Sequence, residues 1–245
     1  MMLALVLPVV FWSASADSLE SQSLETRLKA LHSELRHAPD SLKFSLYVAL
    51  AELQFFNSFR FSNEETDARR AALDQALASA EAALRLNRTT TARTARCAIL
   101  LERTRLLDNK TAIVTIDSCR RELMEIHKQD SLNDFTHLVL GALGVELAKI
   151  SPVQRTFAPL FYAPIPTEPA LDVSLLWLLQ AKFARLYPAF TYLKLGEAYI
   201  LLRNAKDAIE SLNACLRQPE QHPYFDAHCK RLAKQRLDDY LPRIR

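Results

Sequence analysis

The side chains with the most evident chemistry in this sequence are its four cysteines, which form two symmetric pairs. Cys97 and Cys119 are equidistant from Asp108 in one predicted turn, and Cys215 and Cys229 are equidistant from the centre of another. Such positions face each other in an antiparallel helical hairpin, so both pairs are candidate disulfides. Packed helix axes, however, lie about 8–10 Å apart, and a disulfide needs Cα atoms within about 7 Å. Free thiols buried in small-residue positions are therefore the alternative for all four.

The second group of side chains that could do chemistry is basic. Nine basic residues stand against five acidic ones between residues 88 and 128. Arg93, Arg96 and Arg103 share one face of a predicted helix, and they are candidates for holding the carboxylate of a partner peptide by charge-assisted hydrogen bonds. The alternative is ordinary ion pairing with nearby acids, namely Glu102, Asp108 and Glu122.

Metal binding and catalysis find little support in the sequence. The six histidines form no H-E-x-x-H or C-x-x-C…H pattern. His228 and Cys229 are adjacent and so lie on different helix faces, which makes a metal site with His222 the minor alternative. There is no glycine-rich phosphate loop, nucleophile elbow or pair of catalytic carboxylates. The sequence therefore predicts no enzyme, no metal and no cofactor.

The composition indicates the elements that must position these residues. Of 245 residues, 49% are hydrophobic and only three are glycine, and no stretch alternates apolar and polar residues with period two. This pattern predicts an all-α protein. The net charge of +3 is too small to indicate a nucleic acid partner.

Residues 188–222 have the spacing of a tetratricopeptide repeat, in which two antiparallel helices occupy about 34 residues. The core positions are filled by Tyr192, Leu195, Gly196, Tyr199, Ala208, Leu212 and Cys215. Such hairpins cannot bury their apolar faces alone, so they stack. We therefore predict a tetratricopeptide-like α-solenoid with a capping helix at each end. The face of this repeat not used for stacking would line a concave groove with Phe190, Leu193, Lys194, Glu197 and Ile200.

The rest of the chain is predicted to form further helices and one insertion. The predicted helices are 18–35, 41–56, 62–86, 89–107, 109–127, 133–150, 169–187 and 223–240. Residues 151–169 form a proline-rich insertion that opens with a short helix. We expect the insertion to pack on the stack through Phe157, Leu160, Phe161 and Tyr162.

The first sixteen residues have the features of an export signal. They carry no charge, their apolar part is too short to span a bilayer, and they end in Ala14-Ser15-Ala16, a typical cleavage pattern. We expect 1–16 to be a signal peptide, 17–245 to be a single helical domain, and the protein to be exported, in a bacterium to the periplasm. No basic residue precedes the apolar run, so anchoring to a membrane by this segment is the alternative.

The order of these pieces resembles the regulator of microtubule dynamics family over about residues 40–240. The motifs that carry the resemblance are Arg96-Cys-Ala-Ile-Leu-Leu-Glu102, His137-Leu-Val-Leu-Gly141, Val145-Glu-Leu-Ala-Lys149 and Tyr192-Leu-Lys-Leu-Gly-Glu-Ala-Tyr199, with the insertion before the last. The resemblance implies a tetratricopeptide-like interaction domain rather than chemistry. The chain departs from the family in having His137 at an aromatic position, a more proline-rich insertion and the apparent export signal. Microtubule binding is therefore not carried over.

Three functions fit these features. The first is a non-catalytic interaction module that binds a peptide or helix of a protein partner in the groove. The second is a carrier of a lipid or other apolar ligand, with the groove closed by the insertion. The third is a structural subunit recognisable by a large exposed apolar patch. A groove lined by Arg and Glu would favour the peptide binder, and an apolar groove the carrier.

Overall fold

The computed structural model describes residues 24–62 and 64–243, and this part of the chain is built from eleven α-helices without a strand. The helices are α1 (Leu24–His37), α2 (Asp40–Asn57), α3 (Thr66–Leu86), α4 (Thr90–Arg103), α5 (Asn109–Gln129), α6 (Asp134–Ala148), α7 (Pro152–Phe161), α8 (Leu171–Phe183), α9 (Pro188–Leu201), α10 (Ala205–Arg217) and α11 (Pro223–Tyr240). The prediction of an all-α solenoid is confirmed. None of the described helices is long and apolar enough to cross a membrane.

Four helical hairpins make up the stack. They pair α2 with α3, α4 with α5, α6 with α8, and α9 with α10, while α1 packs on α2 and α11 packs on α9 and α10. Side-chain caps start several of these helices: Thr89, Asp108, Asn133 and Asn204 each accept a hydrogen bond from a backbone N–H in the first turn. These bonds satisfy backbone donors that a helix leaves unpaired, so the capping residues determine where these helices begin.

The last hairpin has the close contact that the repeat pattern predicted. A Cβ atom added to Gly196 would lie 2.6 Å from side-chain atoms of Leu212. Ala208 and Cys215 are completely buried on the same side of α10. The backbones of α9 and α10 therefore approach each other because the residues between them are small.

The two ends of the stack meet. The rings of Phe55 and Phe56 at the end of α2, and of Phe59 just beyond it, surround Phe225 of α11, with ring centroids 6.1, 5.0 and 4.9 Å from it. As a result the first helices of the hairpins, α2, α4, α6 and α9, form an inner layer that α11 closes. The groove predicted for an open solenoid is thus an enclosed inner face.

The insertion begins as predicted but packs differently. Ser151 and Gln154 form a complete capping box at the start of α7. The predicted packing contacts are wrong, because the four side chains are largely exposed: Phe157 53%, Leu160 71%, Phe161 71% and Tyr162 45%. Of the residues in α7, only Ala158 is buried.

Polar bonds hold the insertion in place, together with the packing of Ile165 on the apolar core that includes Leu147. The Arg155 guanidinium donates hydrogen bonds to the carbonyl oxygens of Leu147 and Pro166, the second at 2.7 Å. Beyond α7, residues 163–168 run along α5, where Arg120 pairs with Glu168 at 3.5 Å. The insertion therefore lies against the outer layer of the stack and does not close the inner face.

One helix starts later than predicted. The third predicted helix starts at Thr66 rather than at residue 62, since Glu65 accepts the backbone N–H of Ser62 at 2.9 Å without a reciprocal cap from the serine. The predicted signal peptide and the predicted cleavage site lie outside the described residues.

Candidate functional site

The inner face of the stack carries buried charges where an open groove was predicted. Lys194 and Glu197, one turn apart on α9, are 5% and 3% exposed. The Lys194 ammonium pairs with Glu197 at 2.8 Å and with Glu146 of α6. The repeat pattern put both side chains on the inner surface, but it did not predict that they would be buried by the closing helix.

Two further cations complete this network. The Lys149 Nζ lies 2.9 Å from Glu146 and 2.9 Å from Glu197, and the Arg236 Nε from α11 donates to Glu197 at 3.1 Å. Burial by itself would raise the pKa of each glutamate, but Lys194 and Lys149 outweigh it and lower both pKa values to about 2. The carboxylates are therefore ionised throughout the ordinary pH range, and they hold α6, α9 and α11 together.

A cavity of about 800 Å³ opens beside this network. It lies where the start of α3, the turn that follows α4 and the middle of α11 converge. The lining mixes cationic, polar and apolar side chains: Thr66, Arg69, Arg105, Leu106, Leu107, His228, Arg231, Leu232 and Gln235. A cavity of this size is within the range that holds a ligand or a few residues of a peptide.

Few carboxylates pair with the arginines that line the cavity. Arg69 and Arg105 both pair with Glu102, Arg105 at 3.1 Å. The Arg231 Nη2 donates a hydrogen bond to Nδ1 of His228 at 3.0 Å. Burial, reinforced by Arg231 and other nearby cations, lowers the pKa of His228 to about 4. The cavity therefore presents a positive surface with a neutral imidazole at ordinary pH.

The three arginines proposed as a carboxylate clamp do not line this cavity. Arg93 Nε pairs with Glu122 of α5 at 3.2 Å, and Arg96 pairs with the other oxygen of the same carboxylate. Arg103 Nε pairs with Asp74 of α3 at 2.8 Å. These are the ordinary ion pairs given as the alternative, with Asp74 an acid that the sequence analysis did not consider.

The remaining groove residues serve packing. Leu193 is 1% exposed and belongs to an apolar core with Cys215, so its predicted position on a free face is wrong. Phe190 contacts Phe225 of α11 with ring centroids 5.4 Å apart. Ile200 is partly buried against the same core. None of these three side chains therefore lines an open groove.

All four cysteines are buried free thiols in the structure. The side chains of Cys97 and Cys119 interact, and this interaction raises the pKa of Cys97 and lowers that of Cys119. Cys215 and Cys229 share one apolar core. Both symmetric pairs are thus brought together as expected from the hairpin geometry, and disulfide formation remains a prediction. Among the described residues no group of three or more His, Cys, Asp and Glu could hold a metal.

The sequence did not predict that Arg69, Arg105, His228 and Arg231 lie together, and it offered His228 only as part of a minor metal-site alternative. One signal was available in α11, where His228, Arg231 and Gln235 recur at helical spacing on one face. No local pattern connects that face with Arg69 or Arg105, because only the meeting of the two ends of the stack brings them together.

Comparison with known families gives one match. The family model described as Regulator of microtubule dynamics protein 1-3 matches residues 12–241. The match covers all eleven described α-helices, including the insertion and the closing helix. No curated protein matches the chain in sequence.

Proposed function

The chain belongs to the Regulator of microtubule dynamics protein 1-3 family, and from this premise we propose that it is a non-catalytic interaction module that binds a segment of a protein partner in the cavity between α3, the turn after α4, and α11. Membership of this family supports a regulatory or interaction role. The partner and the binding site are the parts that this proposal adds.

The observation that carries the proposal is the mixed lining of the cavity. Leu106, Leu107 and Leu232 offer apolar contacts beside Arg105, Arg231 and Gln235, which offer hydrogen-bond donors. Protein partners are held by such combinations, in which a few arginine and large apolar side chains supply most of the binding energy. A cavity of about 800 Å³ has room for a few side chains of a peptide or of one helix face.

The alternative, a carrier of an apolar ligand, is less well supported. Its premise was an apolar groove closed by the insertion. The inner face instead holds the ion pairs of Lys194 and Glu197, and the insertion lies against α5 on the outer layer. The arginines that line the cavity favour a peptide over a lipid chain, because an apolar chain would cover their guanidinium groups without offering them an acceptor.

A matched pair of variants on α11 tests the proposal. Gln235 lines the cavity and Lys234, its exposed neighbour, does not. We would select peptides that bind the wild-type protein from a random phage-display library, and then measure the affinity of the enriched peptides by fluorescence anisotropy. Gln235→Trp should fill the cavity mouth and weaken binding at least about tenfold, which corresponds to about 1.4 kcal/mol, whereas Lys234→Trp should leave affinity unchanged.

Two results would reject the proposal. One is that no peptide is enriched on the folded wild-type protein. The other is that the enriched peptides bind Gln235→Trp as tightly as Lys234→Trp, which would place their site outside the cavity. A lipid found by native mass spectrometry, and lost in Gln235→Trp alone, would support the carrier instead.

A further inference from the structure

The cavity contains more cationic than anionic groups. Arg69 and Arg105 share the single carboxylate of Glu102. Among the described residues, the recorded polar contact of Arg231 is with the imidazole of His228, which is not an acid. Arg231 therefore faces the cavity without an ion pair to a carboxylate among the described residues.

The excess of positive charge continues inward. The cavity and the adjoining network together contain six cationic groups, Arg69, Arg105, Lys149, Lys194, Arg231 and Arg236, and three carboxylates, Glu102, Glu146 and Glu197. A concave surface with one sign of charge focuses the electric field and attracts the opposite charge.

Arg231 has the geometry to receive an anion. It is exposed at the cavity, and its contact with His228 uses one of the five N–H donors of a guanidinium. Because Nδ1 of His228 accepts that bond, the neutral ring carries its proton on Nε2 and adds a second kind of donor. Guanidinium groups bind carboxylates through two parallel hydrogen bonds.

We infer that the partner segment bound in the cavity is acidic, and that Arg231, supported by Arg105 and His228, binds a carboxylate of an Asp, a Glu or a chain terminus flanked by apolar residues. This inference rests on the proposed function and specifies the partner of the same site. The leucines that line the cavity distinguish a peptide from a free inorganic anion, because only a peptide brings apolar side chains next to its carboxylate.

Three synthetic peptides with a fluorescent label test the inference: Leu-Glu-Glu-Leu-Leu-Glu as an amide, its glutamine counterpart as an amide, and the glutamine counterpart with a free C-terminal carboxylate. The first should bind the wild-type protein at least about tenfold more tightly than the second. Tight binding of the third would assign the site to a chain terminus, and weak binding would assign it to side-chain carboxylates.

The variants Arg231→Gln and Arg85→Gln separate the site from general charge attraction. Both residues are exposed and each change removes one positive charge, but Arg85 lies on α3 outside the cavity. Arg231→Gln should weaken the acidic peptide about tenfold and Arg85→Gln should not. A second readout is the ring of His228 by nuclear magnetic resonance, where the bound carboxylate should raise the pKa from about 4.

The outcomes distinguish the two proposals. If selected library peptides bind in the cavity but are neutral or basic, the acidic-partner inference is overturned and the interaction function stands. If no peptide of either kind binds in the cavity, both fail. Equal losses in the two arginine variants, or displacement of the acidic peptide by vesicles with an anionic lipid but not by neutral vesicles, would also overturn the inference.

Discussion

The imidazole of His222 lies flat on the ring of Phe56, with ring centroids 3.9 Å apart and an angle of 25° between the planes. Phe56 ends the first long helix of the chain, and His222 immediately precedes the last one. This stack, together with the contacts of Phe225, joins the two ends of the solenoid. The enclosed inner face and its cavity depend on this junction.

Acidification should weaken the junction. Burial, reinforced by Arg27, lowers the pKa of His222 to about 4 from the ordinary value of 6.5. Between these pH values the unfolded chain binds a proton that the folded protein excludes, so the free energy of unfolding decreases as pH falls from 6.5 to 4. The shift corresponds to roughly 3 kcal/mol at most.

The variant His222→Phe isolates this effect. It keeps an aromatic ring on Phe56 and removes the titrating group, while Asp226, which accepts the backbone N–H groups of Gln221 and residue 222 at 2.8 Å, stays in both proteins. Urea unfolding at pH 7 and pH 4.5 should show a smaller decrease in stability for the variant than for the wild type. Equal decreases would contradict the assignment to His222.

The parts of the fold predicted from the sequence are those set by local spacing. Gly196 and Ala208 follow a repeat in which small residues permit close helix contact, and the structure has that contact at Leu212. His137, at a position that is usually aromatic, still acts as a buried ring, with its Nε2 3.2 Å from Nδ1 of His127. Residue size and spacing within one hairpin were sufficient to predict these contacts.

The candidate site could not be predicted in the same way. Arg69, Arg105 and Arg231 come from three helical regions far apart in sequence, and only the closure of α11 on α2 places them around one cavity. The predicted packing of the insertion was wrong for a different reason. An apolar side chain such as Leu160 has the same sequence signal whether its face is buried or exposed.

Removal of the buried ammonium of Lys194 should strongly destabilise the protein. Lys194→Met leaves Glu146 and Glu197 near each other with less positive charge to compensate them. Loss of one partner of a buried ion pair costs about 3–5 kcal/mol, and urea denaturation followed by circular dichroism would measure it. Lys206→Met, at an exposed position on α10, is the control and should change stability by less than about 0.5 kcal/mol.

A double variant checks that the cost comes from the ion network. Addition of Glu146→Gln to Lys194→Met removes one of the uncompensated carboxylates, so the two changes together should cost less than the sum of the single changes. Strict additivity would show that the lysine stem, rather than its charge, supports the inner face.

The exposed face of α7 should contribute little to stability. Leu160 is 71% exposed and Leu138 in α6 is 1% exposed, so the same substitution to alanine can be compared at both. Leu160→Ala should change the free energy of unfolding by less than about 0.5 kcal/mol, while Leu138→Ala should cost about 2–5 kcal/mol. A large loss at Leu160 would mean that the helix is covered in solution.

Arg155 should control how firmly the insertion is held. Arg155→Met removes the hydrogen bonds to the carbonyl oxygens of Leu147 and Pro166, and residues 163–168 should then be cleaved faster in limited proteolysis. Arg121→Met, at an exposed residue of α5 beside the same segment, is the control. Equal cleavage rates in the two variants would show that apolar contacts with α5 are sufficient to hold the insertion.

The intact mass of the protein from the envelope fraction of its own host tests export and cysteine oxidation together. We expect a chain that begins at Asp17, because Ala14-Ser15-Ala16 is a typical cleavage pattern. Since all four thiols are buried, alkylation must be done after denaturation, with and without prior reduction. If all four thiols resist alkylation only in the unreduced sample, both disulfides are established. The interaction of Cys97 with Cys119 favours a disulfide in the first pair. A full-length chain with four alkylated thiols in both samples would contradict export and leave a cytosolic or membrane-anchored module.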